Sequence, residues 1–261
     1  MKGIVLAGGT GSRLRPLTKI LNKHILPVGR YPMIYHPLHT LKSGNVTDVM
    51  IISGKEHMGT LVGQLGSGSN FGMSFTYRIQ DTADGIAGAL KLCEDFIRSD
   101  SSDYFVTILG DNIYEDGLDF GGIDLGDDFV YSSKEKLNNK KIPACKLFLK
   151  KVHDPNRFGV VKLKDEYGNK VVKIVEKPKN FISNLAVTGC YVYDSHVWSI
   201  LNNLKVSDRN EFEITDVNNW YVENGIVLYK YLKSGWTDAG THESIIKANV
   251  QCEEVVYQDF I

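Results

Sequence analysis

GIVLAGGTGSRLRPLT, residues 3–18, begins with a short apolar run over residues 3–7 that passes directly into glycines. An apolar residue at every position is the pattern of a parallel strand covered on both faces. The strand therefore points into a glycine turn. There Gly8, Gly9 and Gly11 let the backbone turn tightly and bring N–H groups close to an anion, while Arg13 and Arg15 add charge-assisted bonds. A dinucleotide fingerprint requires glycine where this chain has Leu14, and a Walker loop requires Gly-Lys-Ser/Thr, which is absent. On these residues alone the segment reads either as a phosphate-binding turn or as a glycine-rich turn flanked by surface arginines.

Further along, residues 48–53 (DVMIIS) give a second buried strand, and Met58, Leu61, Val62 and Leu65 follow at helical spacing. Residues 74–80 (SFTYRIQ) alternate like a strand. Ile86, Ala89, Leu90, Cys93 and Ile97 mark one more amphipathic helix before the strand 104–109 (YFVTIL). Repeated βα units imply a parallel sheet. The second half changes character: residues 160–175 read as two strands around a turn at Tyr167-Gly168-Asn169, a hairpin signal. Strands at 185–193 and 226–232 and helices at 213–223 and from 241 onward complete the pattern. The expected fold is α/β: one Rossmann-like domain over 1–261 with a mixed, mainly parallel sheet flanked by helices and an antiparallel portion. Residues 1–112 form its first part, 113–240 its second, and 241–261 a closing helix. The acidic stretch 114–128 lacks the ligand alternation of a calcium loop and reads as a solvated loop.

The 261 residues carry 30 Lys and Arg against 31 Asp and Glu, a formal charge of -1, so no basic footprint for nucleic acid or an anionic membrane exists. The four cysteines form no CxxC pair, and the seven histidines show no HExxH spacing. Reduced thiols are expected, and neither zinc nor a covalent nucleophile is indicated. The N-terminal apolar run is too short for a signal peptide and no membrane span is visible, which places the chain in the cytoplasm. Trp198, Trp220 and Trp236 lie in apolar contexts and read as packing residues.

Lys23 follows the loop in NKHILPVGRYPMI. The string GGTGSRLRPLT followed by LPVGRYPMI resembles the N-terminal signature of the sugar-phosphate nucleotidylyltransferases, most closely the short thymidylyl-transferring branch. The resemblance runs over nearly the whole chain. It implies transfer of a thymidylyl group from dTTP to glucose 1-phosphate with Mg2+, supplying deoxysugar and surface-polysaccharide synthesis, by an enzyme that forms dimers or tetramers. Residues 34–38 (IYHPL) or the last helix would supply the contacts of such an assembly.

The resemblance also distributes roles: it implies that residues 1–112 mainly bind nucleotide and residues 113–240 mainly bind sugar phosphate. Leu6, Gly8, Gly9, Gly11, Ser12 and Arg13 would hold the nucleotide, with Arg13 and Lys23 on the triphosphate; Arg15 reads as surface charge. Gln80 and Gly85, in QDTADGIAGAL, would meet the pyrimidine, whose N3–H and carbonyl match the acceptor and donor of a glutamine amide. Asp111 follows an apolar strand in LGDN, at the carboxyl end where ligands of open α/β sheets bind. The resemblance pairs it with Asp238, in WTDAGTH, as magnesium ligands. Glu176 and Lys177 in VEKPK would take the sugar hydroxyls and its phosphate, with Asn112, Gly159 and Val187 lining the sugar. Arg13, Lys23, Asp111, Lys177 and Asp238 are thus the expected catalytic set. Three positions depart from the family pattern: His24 in place of glutamine, Asn210 in place of the glycine of RGE, and Val175 in place of the first glutamate of EEKP. A uridylyl or other nucleotidylyl transferase, and a noncatalytic sugar-nucleotide sensor, are the competing readings.

Overall fold

The computed structural model describes residues 1–100, 102–121, 130–132, 142–164 and 170–258. They divide into two compact units. The first comprises Met1–Ala83, Leu92–Phe120 and Ser234–Ile261. Its sheet runs Ser74–Gln80, Asp48–Gly54, Lys2–Leu6, Tyr104–Leu109, every neighbouring pair parallel. Ile4, Val5, Val49, Met50, Ile51, Ile52, Val106 and Ile108 are all fully buried, which is why these strands read as continuous apolar runs. Each such side chain contributes roughly 1.5–3 kcal/mol by its burial.

Helix Lys55–Leu65 covers the sheet with Met58, Leu61 and Leu65, whereas Val62 points outward at 41% exposure. The single helix expected over 86–97 is instead two, Ile86–Lys91 and Glu94–Arg98. Arg78 accounts for the break: its guanidinium bonds the Leu92 carbonyl and clasps the Asp95 carboxylate, so the Leu92 carbonyl is drawn to a side chain. The last helix, His242–Gln251, starts from a capping box between Thr241 and Ser244. Ile34, His36, Pro37 and Leu38 are buried within this unit, so this apolar stretch is a core element, while Ile246 and Val250 of the last helix stay exposed. The stretch expected to be a solvated loop buries Tyr114, Leu118 and Phe120, because strand Asn112–Tyr114 pairs with Trp236–Asp238; residues 122–129 lie outside the described residues.

The second unit comprises Asp84–Lys91 and Gly121–Lys233. Strand Ala144–Lys151, not foreseen from the sequence, lies between Leu185–Asp194, antiparallel to it, and Ile226–Tyr231, parallel to it. Gly159–Leu163 and Val171–Glu176 pair antiparallel as expected, while the turn at 167–169 lies outside the described residues. Helix Ile214–Asn224 follows. Trp198 and Trp236 are buried in their respective units, and all four cysteines are buried and free. No helix among the described residues is long and apolar enough to cross a membrane.

Candidate active site

The parallel strands of the first unit end along one edge, with Leu6 aligned to Ile52 and Leu109, and Gly54 aligned to Gln80. The glycine loop, Gln80 and Asp111 therefore converge because they leave the same edge of the sheet. Gly11 sits at φ 63 and opens a 3-10 turn over Ser12–Leu14, and the Thr18 hydroxyl closes the loop by donating to the Gly11 carbonyl at 2.6 Å. A Cβ at Gly11 would stand 2.8 Å from the Thr18 methyl, so both conformation and space demand glycine. A Cβ at Gly8 would lie 2.8 Å from Gln80 Oε1, and one at Gly9 would lie 3.2 Å from Lys23 Nζ. The loop backbone thus has an amide at one end and an ammonium at the other.

Lys23 reaches past Gly9 to form an ion pair with Asp111, whose other oxygen accepts from Asn112 Nδ2 at 3.0 Å. Burial acts to raise the Asp111 carboxyl, but Lys23 and the neighbouring groups outweigh it and hold the group well below the usual range, as a carboxylate. Asp238 stands across the ladder from Asn112, and Ala239 N donates to the Asp111 carbonyl at 2.9 Å, which draws the two aspartate segments together. Trp236 Nε1 donates to Asn112 Oδ1 at 2.7 Å. Gly240 completes the arrangement: the place of a Cβ there is 2.8 Å from Arg13 Nη2 and 2.9 Å from Asp238 Oδ1. His24 is buried beside this cluster. Burial, assisted by Lys23, lowers its pKa to about 3, so the ring is neutral; its Nδ1 donates to Asn22 Oδ1 at 2.9 Å. A Cβ at Gly110 would be 2.7 Å from the His24 ring, so the imidazole fills space that only glycine leaves.

In the second unit, Glu176 closes its strand opposite Gly159. Its Oε2 accepts from Thr215 Oγ1 at 2.6 Å, and its Oε1 lies 3.4 Å from both Lys177 Nζ and Arg209 Nη2. Lys177 adopts φ 42 and its N–H donates to the Phe158 carbonyl at 2.9 Å, which turns the chain at the pair. Gly159 leaves room for this grouping, since a Cβ would stand 3.2 Å from Thr215 Oγ1 and 3.4 Å from Glu176 Oε2. Val187 is buried in Leu185–Asp194, where the pairing with Ala144–Lys151 shifts register between Val187 and Tyr191. Gly85, at φ 98, also belongs to this unit.

Residues 2–255 match the family model described as nucleotidyl transferase. The chain belongs to that family. A Neisseria meningitidis protein named glucose-1-phosphate thymidylyltransferase is 38% identical over 250 residues, covering 95% of this chain and 81% of the relative. The Haloferax volcanii low-salt glycan biosynthesis nucleotidyltransferase Agl11 is 34% identical, covering 95% of this chain and 65% of the relative. Among solved structures, a Bacillus anthracis protein named as a glucose-1-phosphate thymidylyltransferase, crystallised with sucrose, superposes with a TM-score of 0.85 at 50% identity; the match covers 100% of this chain and 98% of that one. A UDP-glucose pyrophosphorylase shares the fold at a TM-score of 0.73 and 20% identity, covering 96% of this chain and 97% of that one.

In this nucleotidyl transferase the first unit gathers Gly8, Gly9, Gly11, Gln80, Lys23, Asp111, Arg13 and Asp238, and the second gathers Gly159, Glu176 and Lys177. Ser12 is exposed at the loop, Leu6 is buried beneath it, and Arg15 is exposed. Asn112 lies in the first unit, bonded to Asp111 and Trp236. The sequence reading missed Arg209, Glu213 and Thr215, which fix Glu176. Arg209 holds Glu213 through two bonds of 2.9 and 2.6 Å, and the i, i+4 spacing of those two charges was the available signal. Asn210 takes φ 59, a conformation natural to glycine and tolerated by asparagine, which explains its departure from the family pattern.

Proposed function

We propose that this enzyme transfers a thymidylyl group from dTTP to glucose 1-phosphate, giving dTDP-glucose and pyrophosphate. The observation that carries the reading is the glycine loop with Gln80 at Gly8 and Lys23 at Gly9, a base-reading amide and a phosphate-reading ammonium on one backbone turn. The named relatives at 36–38% identity support the same substrates. In the reaction a phosphate oxygen of the sugar phosphate attacks the α-phosphorus of the nucleotide in line, and pyrophosphate departs. Positioning and charge neutralisation supply most of the catalysis in such transfers.

Each chain residue has a defined task in this reading. Gln80 accepts from N3–H of the pyrimidine and donates to its carbonyl. Arg13 and Lys23 neutralise the triphosphate and the departing pyrophosphate. Glu176 orients sugar hydroxyls, and Lys177 binds the attacking phosphate. Asp111 and Asp238 fit Mg2+: they are hard oxygen donors on adjoining backbone segments, and an ion held by two carboxylates keeps its remaining positions for water and phosphate. When bound, that ion would neutralise phosphoryl charge at the α-phosphorus. Although Asp111 already meets Lys23 and Asn112, a carboxylate has about four lone-pair sites, so acceptor capacity remains. We further place the enzyme in the cytoplasm, in keeping with its four free thiols, as a dimer or tetramer that light scattering measures.

The test is pyrophosphate release from dTTP, which requires glucose 1-phosphate and magnesium together. Normal ligand binding without turnover for any nucleoside triphosphate identifies a sensor and rejects the reading.

A further inference from the structure

Within the second unit, segment 207–213 is bonded to two elements, one around Gly85 and one at Glu176. Beside Gly85 the Phe212 N–H donates to the Asp84 carbonyl at 2.7 Å, and the Ala87 N–H donates to the Phe212 carbonyl at 3.3 Å. Lys91 Nζ sits 3.6 Å over the Phe212 ring. These contacts enclose Gly85: at φ 98, a Cβ there would stand 2.6 Å from the Phe212 carbonyl oxygen and 3.1 Å from Glu211 Cβ. Towards Glu176 the Arg209 guanidinium grips Glu213 through two bonds, Ser207 Oγ donates to Glu213 at 2.7 Å, and Arg209 Nη2 lies 3.4 Å from Glu176.

The segment has little slack of its own. Ser207 N donates to the Glu211 carbonyl at 2.9 Å, Asn210 N donates to the Ser207 carbonyl at 2.8 Å, and Asn210 holds the left-handed turn. Phe212 and Glu213 are neighbours in the chain. A movement of Gly85 therefore pulls on Phe212 and, one residue later, on the carboxylate that holds Arg209 against Glu176.

We propose that segment 207–213 couples nucleotide recognition at Gly85 to sugar-phosphate recognition at Glu176, with Glu213 as the positioning residue at the join, so that each substrate tightens the other. The coupling rests on the pyrimidine contact that the family resemblance implies for Gly85 and on the role proposed above for Glu176. Linkage makes it reciprocal, because an effect of one ligand on the other's affinity must run equally in both directions. A residue with a merely structural role behaves differently: it weakens nucleotide binding by the same factor whether or not the sugar phosphate is present.

Calorimetry with the full chain and dTDP, which lacks the pyrophosphate leaving group, tests the coupling without turnover. For the unaltered protein, saturating glucose 1-phosphate is expected to lower the dTDP Kd about 5-fold or more, within the usual range of coupling between sites. In Glu213→Gln this ratio should fall below about 2. The milder Ser207→Ala, which removes one bond to the same carboxylate, should give an intermediate ratio, and it serves if the first variant fails to fold. Both ligands binding to the unaltered protein with a ratio of one, or a ratio unchanged in the variants, overturns the coupling alone. An unaltered protein that binds neither dTDP nor glucose 1-phosphate overturns the functional reading and the coupling with it.

Discussion

Replacing Lys23 with Met strands the Asp111 carboxylate, and the cost follows from how deeply the pair is set. The two side chains are only 11% and 9% exposed, so the pair is far closer to a buried than to a surface one. Removing one partner of a buried pair costs about 3–5 kcal/mol, whereas a surface pair is worth about 0–1 kcal/mol. The lower end applies here, about 3 kcal/mol, because Asn112 still donates to Asp111 and the carboxyl can take up a proton. With Lys23 gone, burial, the largest influence on Asp111, raises its pKa against the opposing pull of Asn112, so the stability deficit narrows as pH falls. Adding Asp111→Asn removes the stranded charge and should restore at least about 2 kcal/mol. Activity behaves differently: both single variants and the double variant should lose about 100-fold or more in turnover, the scale of losing a charge contact at a reacting centre. Urea denaturation followed by tryptophan fluorescence measures the first quantity and pyrophosphate release the second. A stability loss below about 1 kcal/mol in Lys23→Met, or a double variant that is simply additive, refutes the buried-pair reasoning.

Gln80→Met keeps the side chain's length and removes both polar functions, so the KM for dTTP should rise about 10-fold or more in steady-state assays, with the KM for glucose 1-phosphate much less affected. Thr215→Val deletes the hydroxyl that donates to Glu176 and should raise the KM for glucose 1-phosphate roughly 5- to 10-fold, the equivalent of one lost hydrogen bond of about 1–1.5 kcal/mol. Acid should destabilise the fold through two histidines, His24 and His36, which burial holds neutral with pKa values lowered to about 3 and about 4. Their unfolded forms bind protons from about pH 6.5 downward, so the stability they contribute is complete above that pH and is lost as pH falls towards their folded values. The slope is at most about 1.4 kcal/mol per pH unit for each histidine, and urea midpoints between pH 7 and pH 4.5 in the unaltered chain and in His36→Gln test it; a flat profile contradicts it.

Much of the first unit was legible because its three central strands carry buried apolar runs and end at marked turns. Residues 3–7 led into Gly8, residues 48–53 into a helix, and residues 104–109 into Asp111, so the convergence at one sheet edge followed from the parallel order alone. The helix expected over 86–97 failed because nothing local announces that Arg78, a distant residue, takes the Leu92 carbonyl. Strand Ala144–Lys151 escaped notice for a related reason: Lys146 and Lys150 interrupt its apolar pattern, yet Lys146 is 1% exposed and its ammonium donates to the Gly121 carbonyl. The acidic stretch misled through composition, since the Tyr114, Leu118 and Phe120 side chains among its aspartates turn inward.

At the site, the glycines, Lys23, Asp111 and the Glu176-Lys177 pair stood in recognisable strings. What those strings did not carry was the support behind them. Thr215 reaches Glu176 across 39 positions of sequence, and Trp236 reaches Asn112 across 124. Such partners depend on tertiary packing and leave no local periodicity to read. Asn210 was visible only as an oddity until its backbone conformation gave it a reason.

The central claim is thymidylyl transfer to a sugar phosphate, and the most direct measurement is phosphorus NMR of a single reaction mixture. It contains the full chain, magnesium, glucose 1-phosphate and equal amounts of dTTP, UTP, CTP, ATP and GTP. The account predicts that dTDP-glucose and pyrophosphate accumulate together in equal amounts while dTTP is consumed first. Preferential consumption of any other nucleotide, or a mixture that forms no sugar-linked diphosphate at all, contradicts it.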